Sequence, residues 1–374
     1  MTDLIVVSLE RWDQVWRRNQ HLIAGLLARD SNLRVLFVEP PADPMHDLRS
    51  KRRPRLGDGL SKIDGIASGR LHRLQLTKRM PRRLDPRTDH QLARGIVRAA
   101  ARLGMRHPLL WINDPGMAIL AERTGWPTLY DITDDWLTAD RPAGELERIA
   151  VSEASLMRVA REVVVCSPEL VRRKQAVRRV TLIPNAVDAT AYRRPRPRPA
   201  DLPDGPIALY LGTVHRDRID VALCATTAHA IGPDASLVLV GPNVLSRSDS
   251  ELLRRARALL LGPRAREEVI GYLQHADVLV VPHVVTAFTD SLDPIKLYEY
   301  QAVGRPVVST PVAGFRDADD PRITIAGGDF VEAVAAALPA RTRFPTGADG
   351  PVADWSERVE AMSGVLGRLG QTLG

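Results

Sequence analysis

Short runs of Val, Ile and Leu recur along this chain, each closed by Pro, Gly or Asp and followed by a stretch with helical spacing of its apolar residues. In the first half they are LIVVSL near Leu4, LRVLFVEPP reaching Pro41, PLLWIND near Leu109, PTLYDITDD near Leu129, EVVVCSP near Val163 and RVTLIPNAV near Val180. Amphipathic stretches such as NQHLIAGLLAR and TDHQLARGIVRAAARLG lie between them. This is the punctuation of a parallel sheet covered by helices. After residue 206 the alternation restarts with IALYLGTV near Leu209, ASLVLVGP near Val238, the helix SDSELLRRARAL, ADVLVVPH near Val280 and RPVVSTPV. The pattern predicts an α/β chain of two Rossmann-like, doubly wound domains facing across a cleft, with ligands at the carboxyl ends of the strands.

Length agrees, because 374 residues exceed what one hydrophobic core usually spans. The segment Tyr192 to Pro206, YRRPRPRPADLPDGP, carries five prolines after Arg193 and reads as a stiff linker. The expected division is a first Rossmann-like domain over 1–195, a second over 205–345 and a tail over 346–374.

Several classes are disfavoured. With 44% hydrophobic and 26% charged residues the composition is that of a globular protein, and runs such as ADVLVVP are far shorter than the roughly 20 residues of a membrane span. MTDLIVVSLERWDQ lacks a basic leader and reads as a buried strand, which predicts a cytoplasmic location. Cys166 and Cys224 sit in apolar contexts without metal or redox spacing and are expected to be buried free thiols.

The net charge of +7 is unevenly spread: residues 1–195 hold 34 Lys and Arg against 23 Asp and Glu, and residues 196–374 hold 18 against 22. Much of the excess lies in two loop-like runs, RSKRRPRLG (49–57) and KRMPRRLDPR (78–87), with Arg52, Arg53, Arg82 and Arg83 prominent. They are either solvated loop charge or a surface for something anionic, such as lipid headgroups at the inner membrane face or a phosphorylated acceptor. No nucleic-acid partner is expected, since no stacking aromatics are interleaved with the charges.

The stretch SLDPIKLYEYQAVGRPVVSTP, 291–311, carries the chemistry. Pro294 suits the first turn of a helix, placing Lys296 near an N-terminus where ammonium and exposed amides favour a phosphate. Glu299 falls about one turn later and can accept paired hydrogen bonds from the two hydroxyls of a ribose. Upstream, LYLGTVHRDRID runs from a strand into Gly212 and Thr213, where bare backbone can approach a phosphate. Together they suggest a nucleoside diphosphate.

DPIKLYEYQAVGRPVVSTPVAG resembles the donor-binding motif of GT-B fold glycosyltransferases of the family 1/4 type. YLGTVHRDRIDVALCATTAHAIGPDASLVLVGP, YLQHADVLVVPH, RWDQVWRRNQHLIAGLLARDSNLRVLFVEPP and TLYDITDDW are similar to the branch with teichuronic-acid and xanthan-type sugar transferases. The resemblance implies transfer of a sugar from a nucleotide-diphosphate donor, UDP-sugar favoured, to a hydroxyl acceptor. It implies backbone contacts at Gly212 and Thr213, diphosphate contacts from Lys296 and the Leu297 amide, and a ribose contact from Glu299. Arg216 is a further diphosphate candidate. VADWSERVEAMSGVLGRLG resembles the C-terminal helix of such enzymes, with Trp355 a packing residue. Retaining members place a glutamate eight residues before the ribose glutamate; here that position is Ser291, so a retaining outcome does not carry over. Asp293 either contacts the sugar or caps the helix.

Transfer needs a base for the acceptor hydroxyl and positive charge for the leaving diphosphate. Asp134 and Asp135 in DITDDW follow a strand, and adjacent carboxylates can raise one another's pKa; the alternative is a helix cap. His21 in RRNQHL is the other candidate base, against a structural role on its helix. No metal is expected, because His/Cys ligand spacing is lacking and Lys, Arg and helix amides can neutralise the diphosphate. DADD (317–320) reads as solvated charge. Rival readings are a sugar-nucleotide-binding scaffold without turnover and a UDP-sugar epimerase of the same fold.

Overall fold

The structure is a computed structural model that describes residues 2–14, 16–67, 69–82, 84–339 and 352–371. Arg83 and the expected 345/346 boundary lie outside the described residues. The chain divides into two compact units, Met1–Pro184 with Trp355–Gly374, and Asn185–Asp354.

The first unit holds β1 (Thr2–Val7), β2 (Leu33–Val38), β3 (Gly59–Lys62), β4 (Leu71–Gln75), β5 (Leu109–Ile112), β6 (Thr128–Ile132), β7 (Glu162–Val165) and β8 (Thr181–Leu182) in the order β3-β4-β2-β1-β5-β6-β7-β8. Every pairing is parallel except β3 with β4. The second unit holds β9 (Ile207–Leu211), β10 (Ser236–Val240), β11 (Leu259–Gly262), β12 (Val278–Val281), β13 (Val307–Ser309) and β14 (Ile323–Ile325) in the order β11-β10-β9-β12-β13-β14, all parallel. The strands foreseen by their apolar runs are present; β3, β4, β11 and β14 were not foreseen. GLSK and LHRLQ are half polar because they lie at or next to a sheet edge, where one side needs no apolar cover.

Central strands are fully buried, as in LIVV of β1 and IALYL of β9, and they pack on both faces against amphipathic helices. Strand order reverses at β1/β5 in the first sheet and at β9/β12 in the second, and the carboxyl end of a strand at such a switch point is where open α/β sheets bind ligands. Cys166 and Cys224 are buried and in no disulfide among the described residues.

The proline-rich segment is not a free linker. Tyr192 is 4% exposed, the Gln274 side chain donates to the carbonyls of Tyr192 and Arg194, and its Oε1 accepts from the Arg196 amide. Proline removes amide donors but leaves every carbonyl free, so a buried glutamine and the His275 ring can dock this segment on the helix Arg266–Gln274. The division accordingly falls at residue 185 rather than near 200.

Candidate functional site

In the second unit, β9 ends in Tyr210-Leu211 and turns at Gly212, whose φ of +144° favours glycine. A Cβ there would stand 2.8 Å from Lys296 Nζ and 3.0 Å from the Tyr210 hydroxyl, so the turn is open only because the residue is glycine. Gly241, at the end of β10 with φ +141°, is as constrained: a Cβ would lie 2.1 Å from the Gly212 carbonyl oxygen. The exposed Thr213 follows the turn.

The helix Ile295–Val303 points its first turn at this turn. The hydroxyl oxygen of its buried Tyr300 accepts from the Leu211 N–H of β9 at 3.1 Å, which ties helix to strand end. Lys296 Nζ donates to the Tyr210 hydroxyl (3.0 Å), lies 3.3 Å from His283 Nε2 and sits 4.1 Å from the centre of the Tyr210 ring. Burial first, and Arg218 second, push its ammonium down to about 7, with Glu299 opposing. Burial likewise holds the His283 imidazole well below its ordinary value, with Lys296 and Arg218 adding to the effect, so His283 is neutral. His283 is fixed by Thr310, whose hydroxyl donates to its carbonyl at 2.8 Å.

Glu299 lies one turn beyond Lys296, and its Oε1 accepts from the Tyr192 hydroxyl at 2.5 Å. Asp293 does not cap the helix. Pro294 occupies the N-cap with no side-chain cap bond, while the Asp293 carboxylate accepts from the Asn185 amide at 2.5 Å and the Tyr298 hydroxyl at 2.8 Å. The Leu297 amide is already engaged with the Pro294 carbonyl at 3.0 Å, a tight first-turn bond, which leaves the earlier first-turn amides for a ligand. Arg216 is exposed and paired with Asp249 at 2.6 Å; Arg218 is the arginine that acts on Lys296 and His283. Ser291 is fully buried, its hydroxyl donating to the Phe288 carbonyl at 2.7 Å.

In the first unit a buried polar network closes the carboxyl ends of β1, β5 and β6. Arg18 grips Asp131 through Nε and Nη2, both at 3.2 Å, and Asp131 also accepts from Trp111 Nε1 and Asn113 Nδ2. Asn19 bridges Ser8 and Asn113. Asp134 accepts from the Thr133 hydroxyl at 2.9 Å. Asp135 departs from expectation: it is 3% exposed and paired with Arg173 (2.6 Å) and Lys174 (3.1 Å). Burial would raise its pKa, but the Arg173 hydrogen bond and the Lys174 charge outweigh it and hold the carboxylate low, so it is a structural counter-ion and a poor base. It makes no side-chain cap either. His21 is stacked on Trp355 (centroids 4.6 Å, planes 8° apart) and meets Trp16 edge-on; Trp355 itself is 6% exposed packing.

Two acids near the carboxyl ends of the first sheet were missed. Glu39 and Asp114 line a hollow with Arg82, Ser8 and Met117, and burial raises the Asp114 pKa against the pull of Arg82. The only sequence signal was position: each lies just after a strand, in FVEPP and WINDP. The Asp320 side chain, 5% exposed and paired with Arg322 at 2.7 Å, is not solvated charge. Among the described residues no group of three His, Cys, Asp or Glu side chains could hold a metal ion, and no helix is long and apolar enough to cross a membrane.

Residues 205–340 match the family Glycosyl transferases group 1. The Bacillus subtilis (strain 168) protein TuaH, described as a teichuronic acid biosynthesis glycosyltransferase, is 24% identical over 218 residues, or 54% of this chain. The match spans about half of TuaH, 55% of its length. Among solved structures, Anabaena Alr3699/HepE in complex with UDP superposes with a TM-score of 0.65 at 14% identity, covering 98% of this chain and all of that one. OtsA without ligand gives 0.66 at 11% identity over 98% and 99% of the two chains. The family match is confined to residues 205–340, and the solved structures share the fold of the chain.

Proposed function

We propose that the whole protein transfers a sugar from a nucleotide diphospho-sugar, a UDP-sugar before others, to a hydroxyl acceptor. The observation that carries this reading is the placement of Lys296 and Glu299 one turn apart on a helix whose start faces the Gly212 turn at the switch point of the second sheet. Lys296, Arg218 and the first free amides of the helix hold the diphosphate, and Glu299, steadied by Tyr192, takes the ribose hydroxyls. Gly212 and Thr213 give backbone contact, and Asp293 stays near the sugar as a held carboxylate. Complexes of HepE with UDP and with UDP-glucose support the choice of base.

In the transfer the acceptor oxygen forms a bond to the anomeric carbon as the bond to the diphosphate breaks. The acceptor proton passes to a carboxylate or imidazole acting as general base, with Asp134 and His21 as the proposed candidates. Lys296 and Arg218 supply the charge the departing diphosphate needs, so turnover is expected without added metal.

The acceptor is proposed to be a lipid-linked or envelope glycan precursor rather than a soluble secondary metabolite, reached by peripheral contact with the inner membrane face. The basic loops support this less than a helix does. Arg52 and Arg82 are paired with Asp47 and Asp89, whereas Arg94, Arg98 and Arg102 stand in four-residue steps on the exposed side of the helix Thr88–Arg102 without a carboxylate partner among the described residues. Arg94, Arg98 and Arg123 line a groove of about 410 Å³ floored by Leu120 and Trp126.

The test is incubation of purified protein with UDP-, GDP- and dTDP-sugars and lipid-linked acceptors, with product followed by mass spectrometry. Sugar-bearing product that disappears in Glu299→Ala supports the reading. Nucleotide binding with no transfer to any acceptor leaves a scaffold, and an isomerised donor leaves an epimerase.

A further inference from the structure

Five of the 52 basic residues are lysines: Lys51, Lys62, Lys78, Lys174 and Lys296. In a chain so committed to arginine, a lysine in the site is notable chemically, because an ammonium can lose its proton near neutrality and a guanidinium cannot. The buried Lys174 has Asp135 and Glu153 within 3.1 Å. Lys296 has neutral partners instead. Its Nζ meets the Tyr210 hydroxyl at 3.0 Å, His283 Nε2 at 3.3 Å and the Tyr210 ring face at 4.1 Å, and among the described residues no carboxylate lies within the 4.0 Å of an ion pair. Tyr210 and His283 are 1% and 6% exposed, and their polar atoms are themselves 3.2 Å apart. The other charges facing Nζ are Arg218, from the loop after β9, and Glu299, one turn along the helix. A carboxylate partner would keep Lys296 charged but compete with a diphosphate for it; a phenol and a neutral imidazole orient the nitrogen and leave its charge unmatched.

We infer that Tyr210 and His283 are positioning residues that hold Lys296 ready to take up a proton when the sugar nucleotide binds, so that donor affinity is coupled to pH through this one lysine. The inference rests on the nucleotide reading of the site. The proton comes from solvent onto the Nζ lone pair, the diphosphate keeps it there, and departure of the nucleotide product releases it. The sign follows from the two states. Lys296 has its midpoint at about 7 in the free protein, and a bound diphosphate moves it up toward its ordinary value of 10.5. Below the first midpoint no proton is taken up. Between the two, affinity falls by about tenfold for each pH unit.

The experiment is carbon NMR of the full protein labelled only at its lysines, with Lys296→Arg assigning one of five signals. UDP-glucose is the probe, because its diphosphate carries no titrating proton of its own near neutrality. The expected result is one lysine titrating near 7 in the free protein and far higher when saturated. Calorimetry near pH 8 in buffers of different ionisation enthalpy should show uptake of about one proton per UDP-glucose. Tyr210→Phe and His283→Gln should each move the lysine midpoint and the pH profile of binding, which a merely structural role would leave in place.

A lysine at its ordinary value in the free protein overturns the inference. So does UDP-glucose binding that calorimetry detects and Glu299→Ala abolishes while the lysine signal stays still and no proton is taken up, and in that case the nucleotide reading survives. Absence of UDP-glucose binding overturns both.

Discussion

The Tyr192 hydroxyl donates to Glu299 Oε1 across 2.5 Å, joining the segment that opens the second unit to the helix that carries the proposed ribose contact. A carboxylate held this way presents its remaining lone pairs in one orientation, so the donor pays less to order it on binding. Hydrogen bonds to a charged group contribute about 1.5–3 kcal/mol, and Tyr192→Phe is expected to weaken UDP binding by roughly tenfold, with Glu299→Ala weakening it further. Isothermal calorimetry of both variants measures this. Equal affinity of Tyr192→Phe and wild type would remove Tyr192 from the site.

Lys296→Met should stabilise the free protein and abolish nucleotide binding. The wild-type ammonium has a folded midpoint of about 7 against 10.5 as its ordinary value, so the unfolded chain binds the extra proton between those values. Wild-type stability therefore rises with pH across that window. The gain from Lys296→Met is full below about 7 and fades as pH approaches 10.5. Thermal unfolding of both proteins should show melting temperatures that converge as pH is raised; a constant gap would refute the buried, unmatched charge.

Asp135→Asn is expected to cost stability by about 3 kcal/mol, since it strips a buried carboxylate from Arg173 and Lys174 and leaves their charges poorly matched. The transfer rate of the folded fraction should be kept. The wild-type carboxylate is held below its ordinary 3.8, so its contribution is present above that value and is lost as pH falls through the lower folded midpoint. Denaturant midpoints at neutral and acid pH test the claim. A stable but inactive Asp135→Asn would return this residue to chemistry.

Charge reversal of Arg94 and Arg98 together should weaken sedimentation with anionic vesicles at least tenfold, at about 1 kcal/mol per basic residue near a charged membrane. Reversal of Arg52, already paired with Asp47, should matter less. If the two sets behave alike, contact lies with the loops instead of the helix.

How much could be read in advance differs from one element to the next. Buried parallel strands need apolar side chains on both faces, so the runs around Leu4, Val163, Leu209 and Val280 announced themselves, and each strand's exit in Gly, Pro or Asp marked where ligands go. The donor helix was legible because Lys296 and Glu299 are neighbours in the chain, where helical spacing alone relates them. Edge strands such as GLSK carried no such signal.

Local order along the chain determined the alternation of strands and helices, the glycine at the turn after β9 and the turn that separates Lys296 from Glu299, since each depends on residues a few positions apart. Only the tertiary structure decided that Asp135 is an ion-paired counter-ion, that His21 is stacked on Trp355, that Asp293 receives the Asn185 amide, and that Lys296 rests on Tyr210 and His283. Those partners are brought together from distant segments by the packing of sheets and helices. Burial and the neighbouring charge it delivers, which set whether a titratable group acts as base, cation or ballast, are properties of the folded chain.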